Sequence, residues 1–389
     1  MIARALGTHS PRAVRDALRS RGWDEVKSDA AAAGWRGAAV ELTGLDPSTV
    51  FSLMQYAGSL GLDLVTGEDW ALVGGTAARL SALARPWVVP PELAGVAEAV
   101  GLQLPAEQAS MWPTARGAIQ LDRPVIFGIL NITPDSFSDG GKFIAAEAAV
   151  AHADQLLADG ADVLDIGGES TRPGSESVPV AEELARVLPV VEALNRRHPT
   201  VPISVDTVKA EVAAAVLGAG AAIINDVSAF RLDPAMAGIV AQRKAGAILM
   251  HSRGTVSTMA RLDHADYTPD LLTEVRRELS EAMDAALGAG VPAERMVLDP
   301  GFGFAKTAEQ NLLLLDQLSA LVSLGRPVLV GPSRKRFLGS VTGREVGDRD
   351  AATAAACVLA YERGARLFRV HNVATTRDAL AVAHAVRGA

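Results

Sequence analysis

From residue 124 onward, short apolar segments typical of buried strands alternate with longer segments of helical spacing. Apolar strands that alternate with helices predict a parallel sheet covered by those helices. Eight such units in about 265 residues fit the size of a (β/α)8 barrel, so we predict an α/β fold with this barrel over residues 116–389. The strand-like segments are VIFGILNI (125–132), DVLDIGGE (162–169), PISVDT (202–207), AIINDVSA (222–229), AILMHS (247–252), MVLDPG (296–301), PVLVGPS (327–333) and RLFRVHN (366–372).

A doubly wound open sheet is the alternative reading of the same alternation. That architecture often carries a G-x-G-x-x-G turn after its first strand, where a helix N-terminus receives a dinucleotide. No such turn follows residues 125–132, so the barrel is favoured.

Residues 1–115 do not follow this alternation, and we predict that they form a small additional N-terminal α/β domain, with a linker at about 105–119. Residues 37–44 are typical of a strand, Asp46-Pro47 of a helix start, and the residues around Gly67 of a hairpin. The five tryptophans all lie in this part of the chain or just after it, so we expect none in the barrel. No catalytic constellation is visible here, and we favour an interaction role for this domain.

The composition argues against several classes of function. The net charge of −8 argues against general binding to nucleic acid or to an anionic membrane surface. No apolar run approaches the roughly 18 residues that a membrane span needs, and the N-terminus lacks the apolar core of a signal peptide, so we expect a cytoplasmic protein. The single cysteine, Cys357, cannot form an internal disulfide and is expected to be a buried thiol.

The ends of the predicted barrel strands are unusually polar. A single Asp, Asn or Ser at such a position is often the N-cap of the next helix. Eight strand ends in succession are harder to explain in that way, and the active sites of barrels lie at the carboxyl ends of the strands. We therefore predict a site formed by Asn131, Asp165 with Glu169, Asp206, Asn225 with Asp226, His251, Asp299, Ser333 with Arg334 and Lys335, and Arg369 with His371.

The types of side chain at these ends indicate two kinds of ligand. Guanidinium and ammonium groups suit phosphate and carboxylate, whereas carboxylates and amides suit a flat heterocycle rich in N–H donors. The amide oxygen of Asn131 suits Mg2+, which prefers oxygen ligands and takes few from protein. The segment GILNITPDSFSDGG (128–141) ends a buried strand in a long polar loop, and such loops usually carry function.

Eight ordered segments of the chain resemble those of the dihydropteroate synthase family. They are GILNITPDSFSDGG, DIGGESTRPGS (165–175), SVDT (204–207), INDVS (224–228), LMH (249–251), LDPGFGFAK (298–306), SRKRFLG (333–339) and RVHNV (369–373). The resemblance covers about residues 115–389, and residues before it lie outside it. One departure is Ala305, which stands where the family usually has a third glycine.

The resemblance implies that the chain condenses 6-hydroxymethyl-7,8-dihydropterin diphosphate with p-aminobenzoate. The products would be 7,8-dihydropteroate and diphosphate, in folate synthesis. It also implies a dissociative reaction, in which diphosphate leaves before the amine attacks and no covalent enzyme intermediate forms. Family members are commonly homodimers, so a homodimer is expected.

The resemblance also implies roles for individual residues. Asp206, Asn225, Asp299 and Lys335 would hold the pterin ring, with Asp165 and Met250 nearby, and Asn131, Arg369 and His371 would hold diphosphate with its Mg2+. Thr171, Arg172 and Pro173 would lie on a second loop, and Ser333 and Phe304, joined by Phe137 of the first loop, would form the aminobenzoate pocket. The catalytic set would be Asp206, Lys335, Arg369 and His371.

Two other functions fit part of the pattern. A methyltransferase acting on methyltetrahydrofolate would share the ring-binding acids and amides, but it would not need Ser-Arg-Lys or Arg-x-His. A pterin-binding regulator without catalysis would be expected to have lost loop or anion-binding residues. Both motifs are present at 333–335 and 369–371, so the synthase is favoured.

Overall fold

The computed structural model describes residues 1–5, 11–33, 38–85, 89–101, 109–132, 142–169, 178–268 and 270–388. The chain divides into two compact units, one of residues 1–107 with 316–325 and the other of residues 108–315 with 326–389. Residues 108–115, which the sequence assigned to the small domain and its linker, belong to the second unit. No helix in the described ranges has the length and apolar character needed to cross a membrane.

The first unit contains a four-stranded antiparallel sheet with the order β1-β2-β4-β3. Asp46 begins one helix, since its side chain accepts a hydrogen bond from the Thr49 N–H at 2.9 Å and Pro47 follows it. The strands are β1 (Ile2–Ala5), β2 (Ala38–Thr43), β3 (Asp63–Thr66) and β4 (Trp70–Gly75), and the helices are α1 (Pro11–Ser20), α2 (Glu25–Ala33), α3 (Pro47–Ser59), α4 (Ala77–Leu83) and α5 (Ala94–Gly101), with a short 3-10 helix at Pro91–Leu93.

The second unit begins with a hairpin and continues into eight parallel strands. The sheet order is β12-β11-β10-β9-β8-β7-β14-β13, and a parallel bridge between Leu298 and Val328 joins its two edges. The predicted (β/α)8 barrel is therefore confirmed. The strands are β5 (Met111–Thr114) and β6 (Gly117–Gln120) of the hairpin, then β7 (Val125–Asn131), β8 (Val163–Gly167), β9 (Ile203–Asp206), β10 (Ile223–Asp226), β11 (Gly246–Met250), β12 (Met296–Asp299), β13 (Leu329–Val330) and β14 (Leu367–Val370).

Helices follow the barrel strands, and their small C-terminal residues turn the chain back to the next strand. Gly160, Gly220, Gly290 and Gly364 all have positive φ just before a strand, which glycine adopts without steric cost. The helices are α6 (Lys142–Ala158), α7 (Val180–Arg197), α8 (Ala210–Gly218), α9 (Met236–Gln242), α10 (Leu271–Gly288), α11 (Ala308–Asp316), α13 (Arg336–Thr342), α14 (Asp350–Glu362) and α15 (Val373–Gly388), with short 3-10 helices at Ala293–Arg295 and Val346–Asp348. Between α11 and α13, the short helix α12 (Ser319–Val322) lies in the segment 316–325, which belongs to the first unit.

Trp112 of the hairpin closes the N-terminal end of the barrel, which corrects the expectation of a barrel without tryptophan. Its side chain is fully buried among strand residues, including Phe127, whose ring centroid lies 6.4 Å away. Its Nε1–H donates to the carbonyl oxygen of Arg295 at 2.8 Å. Gly246, the first residue of β11, leaves room for it, because a Cβ there would lie 2.8 Å from the indole.

Candidate active site at the carboxyl ends of the barrel strands

The register of four neighbouring strands aligns polar residues at the carboxyl end of the barrel. Asn131 of β7 pairs with Gly167 of β8, Gly167 with Asp206 of β9, and Asp206 with Asn225 of β10. Gly167 lies between the other two strand ends, since a Cβ there would make ordinary contacts with Oδ1 of Asn131 at 3.5 Å and with the Cβ of Asp206 at 3.8 Å. The three polar side chains therefore belong to one level of the mouth, although they are up to 94 residues apart in the chain.

A fully buried carboxylate, Asp165, lies among these residues and is held from several directions. One oxygen accepts a hydrogen bond from the Ser204 hydroxyl at 2.6 Å and lies 3.5 Å from the Asn225 amide nitrogen. The other accepts from Nε of Arg369 at 2.5 Å. Nη2 of Arg369 donates to Asp206 at 3.1 Å, so this arginine bridges two acids of the mouth.

Burial and charge oppose each other in this cluster. Burial disfavours the charge of Arg369, but the carboxylates of Asp165 and Asp206 outweigh it and raise the pKa of the guanidinium. Burial raises the pKa of Asp206, although Arg369 counteracts this effect. Burial also raises the pKa of Asp299 to about 6, and the Gly301 N–H, which donates to Asp299 at 2.7 Å, partly offsets it. Asp206 and Asp299 therefore lose their charge at a higher pH than exposed carboxyl groups do.

Lys335 follows β13 and lies against the loop after β12. Its Nζ is 4.0 Å from the centroid of the Phe304 ring, which is a cation–π distance. Burial lowers the pKa of Lys335 to about 8. Phe304 and Met250 belong to one buried apolar cluster, so a cation and an apolar wall adjoin each other here.

Ser333 and His371 form a hydrogen-bonded pair at the ends of β13 and β14. The Ser333 hydroxyl oxygen lies 2.9 Å from Nδ1 of His371 and accepts the backbone N–H of His371 at 3.2 Å. Burial, reinforced by the positive charge of Arg369, lowers the pKa of His371 to about 4. The imidazole is therefore neutral at pH 7 and can act as a hydrogen-bond donor or acceptor without adding charge.

Three predicted strand-end residues pair with neighbouring residues of the protein. Arg334, which the sequence grouped with the phosphate-binding cations, donates twice to Asp350 at 2.7 and 2.8 Å. Asp226 accepts the N–H and hydroxyl of Ser228 at 2.7 and 2.6 Å, so it closes a turn and does not cap the next helix, which begins only at Met236. Glu169 pairs with Lys209 at 2.7 Å.

His251 is buried, and its ring contacts Lys306, a residue absent from the predicted site. Nδ1 of His251 lies 2.9 Å from Nζ of Lys306, which is itself 3% exposed. The signal was present in the sequence, because Lys306 is a charged residue directly after the apolar segment GFGFA.

Four predicted site residues, Phe137, Thr171, Arg172 and Pro173, lie outside the residues that the structure describes. Among the residues that it does describe, no three His, Cys, Asp or Glu side chains are grouped as a metal site.

Comparison with known proteins identifies the class to which this barrel belongs. The family model described as "Pterin binding enzyme" matches residues 127–371, from β7 through the end of β14. The chain is a pterin-binding enzyme by this match, which covers more than half of its length.

Relatives and solved structures define the family more narrowly. Dihydropteroate synthase of Synechocystis sp. is 47% identical to this chain over 265 residues, which are 68% of this chain and 90% of that protein. Dihydropteroate synthase of Bacillus subtilis is 43% identical over 252 residues, which are 65% of this chain and 85% of that protein. The structure of Xanthomonas albilineans dihydropteroate synthase in complex with 7,8-dihydropteroate is 46% identical, has a TM-score of 0.64, and is matched over 72% of this chain and 99% of that one. The chain belongs to the dihydropteroate synthase family, whose members are transferases that form a C–N bond in folate synthesis.

Proposed function

We propose that the barrel mouth condenses 6-hydroxymethyl-7,8-dihydropterin diphosphate with p-aminobenzoate through the residues described above. The observation that carries this assignment is the acid cluster of Asp165, Asp206 and Asp299, which combines with the cations Arg369 and Lys335 at the mouth. The X. albilineans enzyme has been solved with 4-aminobenzoic acid, at 48% identity, a TM-score of 0.67 and full coverage of that chain, which supports the choice of amine.

The test is diphosphate release by the full-length protein with Mg2+ and the pterin diphosphate, with and without p-aminobenzoate. We expect release that depends on p-aminobenzoate and is matched by dihydropteroate. Pterin binding without either product would contradict the assignment and would bring forward the methyltransferase or the non-catalytic regulator.

Asp206, Asn225, Asp299 and Lys335 are proposed to hold the pterin ring, with Asp165 and Met250 nearby. Carboxylate and amide oxygens can accept the N–H groups of the heterocycle, and an ammonium can donate to its ring nitrogens or carbonyl. Replacing Lys335 by alanine should weaken pterin binding strongly, because a methyl group donates nothing. Unchanged pterin affinity would contradict this role.

The acids of the cluster also suit the charge that develops in the reaction. When diphosphate leaves, positive charge spreads over the pterin methyl group and ring, and nearby carboxylates such as Asp206 and Asp299 stabilise it. Arg369 and the neutral donor His371 are proposed to stabilise the leaving anion. The amine of p-aminobenzoate then attacks and loses its proton, so no nucleophilic residue of the chain is needed.

Asn131 is proposed as the protein ligand of Mg2+. It ends β7 next to Gly167 of β8, which lies between it and Asp206, and a single amide oxygen fits an ion that usually keeps its water and phosphate ligands. Bound Mg2+ would neutralise negative charge on the diphosphate.

The metal role can be tested with two ligands. Asn131→Ala should weaken Mg2+-dependent binding of the pterin diphosphate more than binding of a pterin without diphosphate. Equal losses for both ligands would argue against a metal role. Asn225→Ala is the matched control, because its amide is proposed to contact the ring and should affect both ligands alike.

The aminobenzoate pocket is proposed to include Ser333 and Phe304. Phe137, Thr171, Arg172 and Pro173 are assigned to it and to its loops by resemblance alone. The position of Ser333 beside His371 supports a polar end for the pocket, and the apolar cluster around Phe304 supports a wall for the benzene ring.

A cytoplasmic homodimer is proposed for the whole protein. Exposed apolar side chains on α14 and α15 support a contact surface, namely Leu359, Val382 and Val386, which are 45%, 66% and 71% exposed. Light scattering at working concentration should give twice the chain mass of 40.4 kDa. A monomer, or a dimer unchanged by Val382→Asp with Val386→Asp, would contradict this surface.

The interaction role favoured for the N-terminal unit also remains a proposal. Deletion is a poor test, because the segment 316–325 belongs to the same unit and Leu318, Ala320 and Leu321 within it are fully buried. Surface changes are cleaner: Phe51→Ser and Met54→Ser alter side chains of α3 that are 62% and 54% exposed. Unchanged assembly and pathway function in this variant would count against α3 as the contact surface.

A further inference from the structure

Lys306 is a buried lysine for which the proposed reaction has no role, and burial lowers its pKa to about 7. It is 3% exposed and ends the segment LDPGFGFAK. Its ammonium donates to the carbonyl oxygens of Gly301 at 3.2 Å and Phe304 at 3.1 Å, and it lies 2.9 Å from Nδ1 of His251. A buried ammonium is costly unless it is hydrogen-bonded, and here all three of its acceptors are within reach.

The loop after β12 has a backbone that needs such a donor. Gly301, Gly303 and Ala305 have φ values of 68°, 78° and 46°, so every second residue is left-handed and the carbonyl groups point in different directions. Buried carbonyl groups require donors, and a loop with this backbone cannot supply them through regular secondary structure. Lys306 supplies two of them from a single side chain.

The groups around Lys306 hold it in place. Burial lowers the pKa of His251 to about 4, so its neutral Nδ1 can accept from the ammonium. Nε2 of His251 lies 3.0 Å from Glu278, out of hydrogen-bond alignment. From the same side, the Tyr267 hydroxyl donates to the carbonyl oxygen of Ala305 at 3.0 Å.

The loop carries a residue that faces the mouth. The Phe304 ring lies 4.0 Å from Nζ of Lys335, and a Cβ at Gly303 would come within 2.9 Å of the Lys335 side chain. The backbone of Phe304 is therefore held by Lys306 on one side, while its ring contacts Lys335 on the other.

We propose that Lys306 is a positioning residue, which fixes the Phe304 ring through the carbonyl groups of Gly301 and Phe304 and thereby shapes the p-aminobenzoate pocket. The inference rests on the proposed assignment of Phe304 to that pocket. Lys306 acts through Phe304 and contacts neither substrate.

The test compares Lys306→Met, Phe304→Ala and the double variant in the full-length protein, by steady-state kinetics for each substrate. Methionine has nearly the same length as lysine but donates nothing. We expect Lys306→Met to raise the KM for p-aminobenzoate about tenfold, because a misplacement of about 1 Å can cost up to ~10²-fold. The KM for the pterin diphosphate should change less than about threefold, since Lys335 is retained.

The double variant separates positioning from general damage. Because Lys306 acts through Phe304, Lys306→Met should add no further loss to Phe304→Ala. Lys244→Met, at an exposed lysine before β11, is the matched control and should behave as the unaltered protein. If Lys306→Met does not fold, Lys306→Gln, which is shorter but keeps N–H donors, should give an intermediate rise in the same KM.

Three results would overturn the inference. These are an unchanged KM for p-aminobenzoate, equal increases for both substrates, or losses that add fully in the double variant. If Phe304→Ala itself leaves that KM unchanged, the pocket assignment fails first. If Phe304→Ala raises it and Lys306→Met does not, only the positioning role fails.

Discussion

The ion pair between Arg369 and Asp165 should contribute measurably to the stability of the barrel, and Arg369→Met tests this. Asp165 is fully buried, and the substitution would remove the Nε donor at 2.5 Å from one of its oxygens. Breaking a buried ion pair by removing one partner typically costs about 3–5 kcal/mol, because the other charge stays buried.

Local contacts moderate this value. The other oxygen of Asp165 keeps the Ser204 hydroxyl at 2.6 Å, and Arg369 is 21% exposed, so water reaches part of its site. We therefore expect the lower end of the range, a loss of about 3 kcal/mol. A loss of 1 kcal/mol lowers the melting temperature by about 2–4 °C for 150–250 residues, so for the larger second unit we expect a decrease of roughly 6 °C.

The assay is scanning calorimetry of Arg369→Met beside a matched arginine control. Arg277→Met is suitable, because Arg277 pairs with Glu274 and Glu281 on the exposed face of α10, where ion pairs contribute little. A decrease of less than about 2 °C for Arg369→Met would refute the reasoning, since it would mean that Asp165 needs no cation. Asp165→Asn should reduce the effect of Arg369→Met, because the charge left unpaired is then absent.

Two further predictions concern the loop after β12 and the charges of Asp299 and Lys335. Ala305→Gly should raise the free energy of unfolding by about 0.5–1 kcal/mol, because φ is 46° at this residue and a left-handed alanine is strained. Ala355→Gly, in the middle of α14, should instead lower the free energy of unfolding by about 1 kcal/mol. Thermal unfolding of both variants distinguishes relief of strain from the general effect of a glycine. Binding of a pterin without diphosphate should be strongest between about pH 6 and pH 8. Below this range Asp299 loses its charge, because its pKa is raised to about 6. Above this range Lys335 loses its charge, because its pKa is lowered to about 8. Calorimetric titration across pH measures this profile, and an acidic limb that survives in Asp299→Asn would assign it to another group.

The sequence was sufficient to predict the barrel, because strand-helix alternation is a local pattern and eight repeats of it leave few architectures. It was also sufficient to predict which strand ends carry polar residues. It could not predict their partners, since these depend on register across the sheet: Asp165 and Arg369 are 204 residues apart and meet only because β14 pairs with β7 and β7 with β8.

Side-chain direction was a second limit. Arg334 and Lys335 are neighbours in the sequence, yet one pairs with Asp350 outside the acid cluster and the other adjoins Phe304. The left-handed backbone of Arg334, with φ at 55°, sends the two side chains apart, and no local pattern indicates it. The expectation of a barrel without tryptophan was wrong for a related reason. The sequence of a short hairpin does not indicate on which surface its side chains, here Trp112, will pack.

The double contact of Arg369 has a consequence for how the mouth receives its ligands. A guanidinium has five N–H donors, and Nε and Nη2 are directed to Asp165 and Asp206. A diphosphate held by Arg369 must therefore use the remaining donors of the guanidinium or displace Asp206. Asp206 is the easier of the two acids to displace, because its contact with Arg369 is 3.1 Å long and that of Asp165 is 2.5 Å. In the proposed reaction, the positive charge that develops on the pterin would then take the place of Arg369 beside Asp206 and would favour its carboxylate form. Arg369 would in this way couple departure of diphosphate to stabilisation of the pterin cation. Lysine cannot make both contacts from one planar group, so Arg369→Lys should lower kcat more than it raises the KM for the pterin diphosphate.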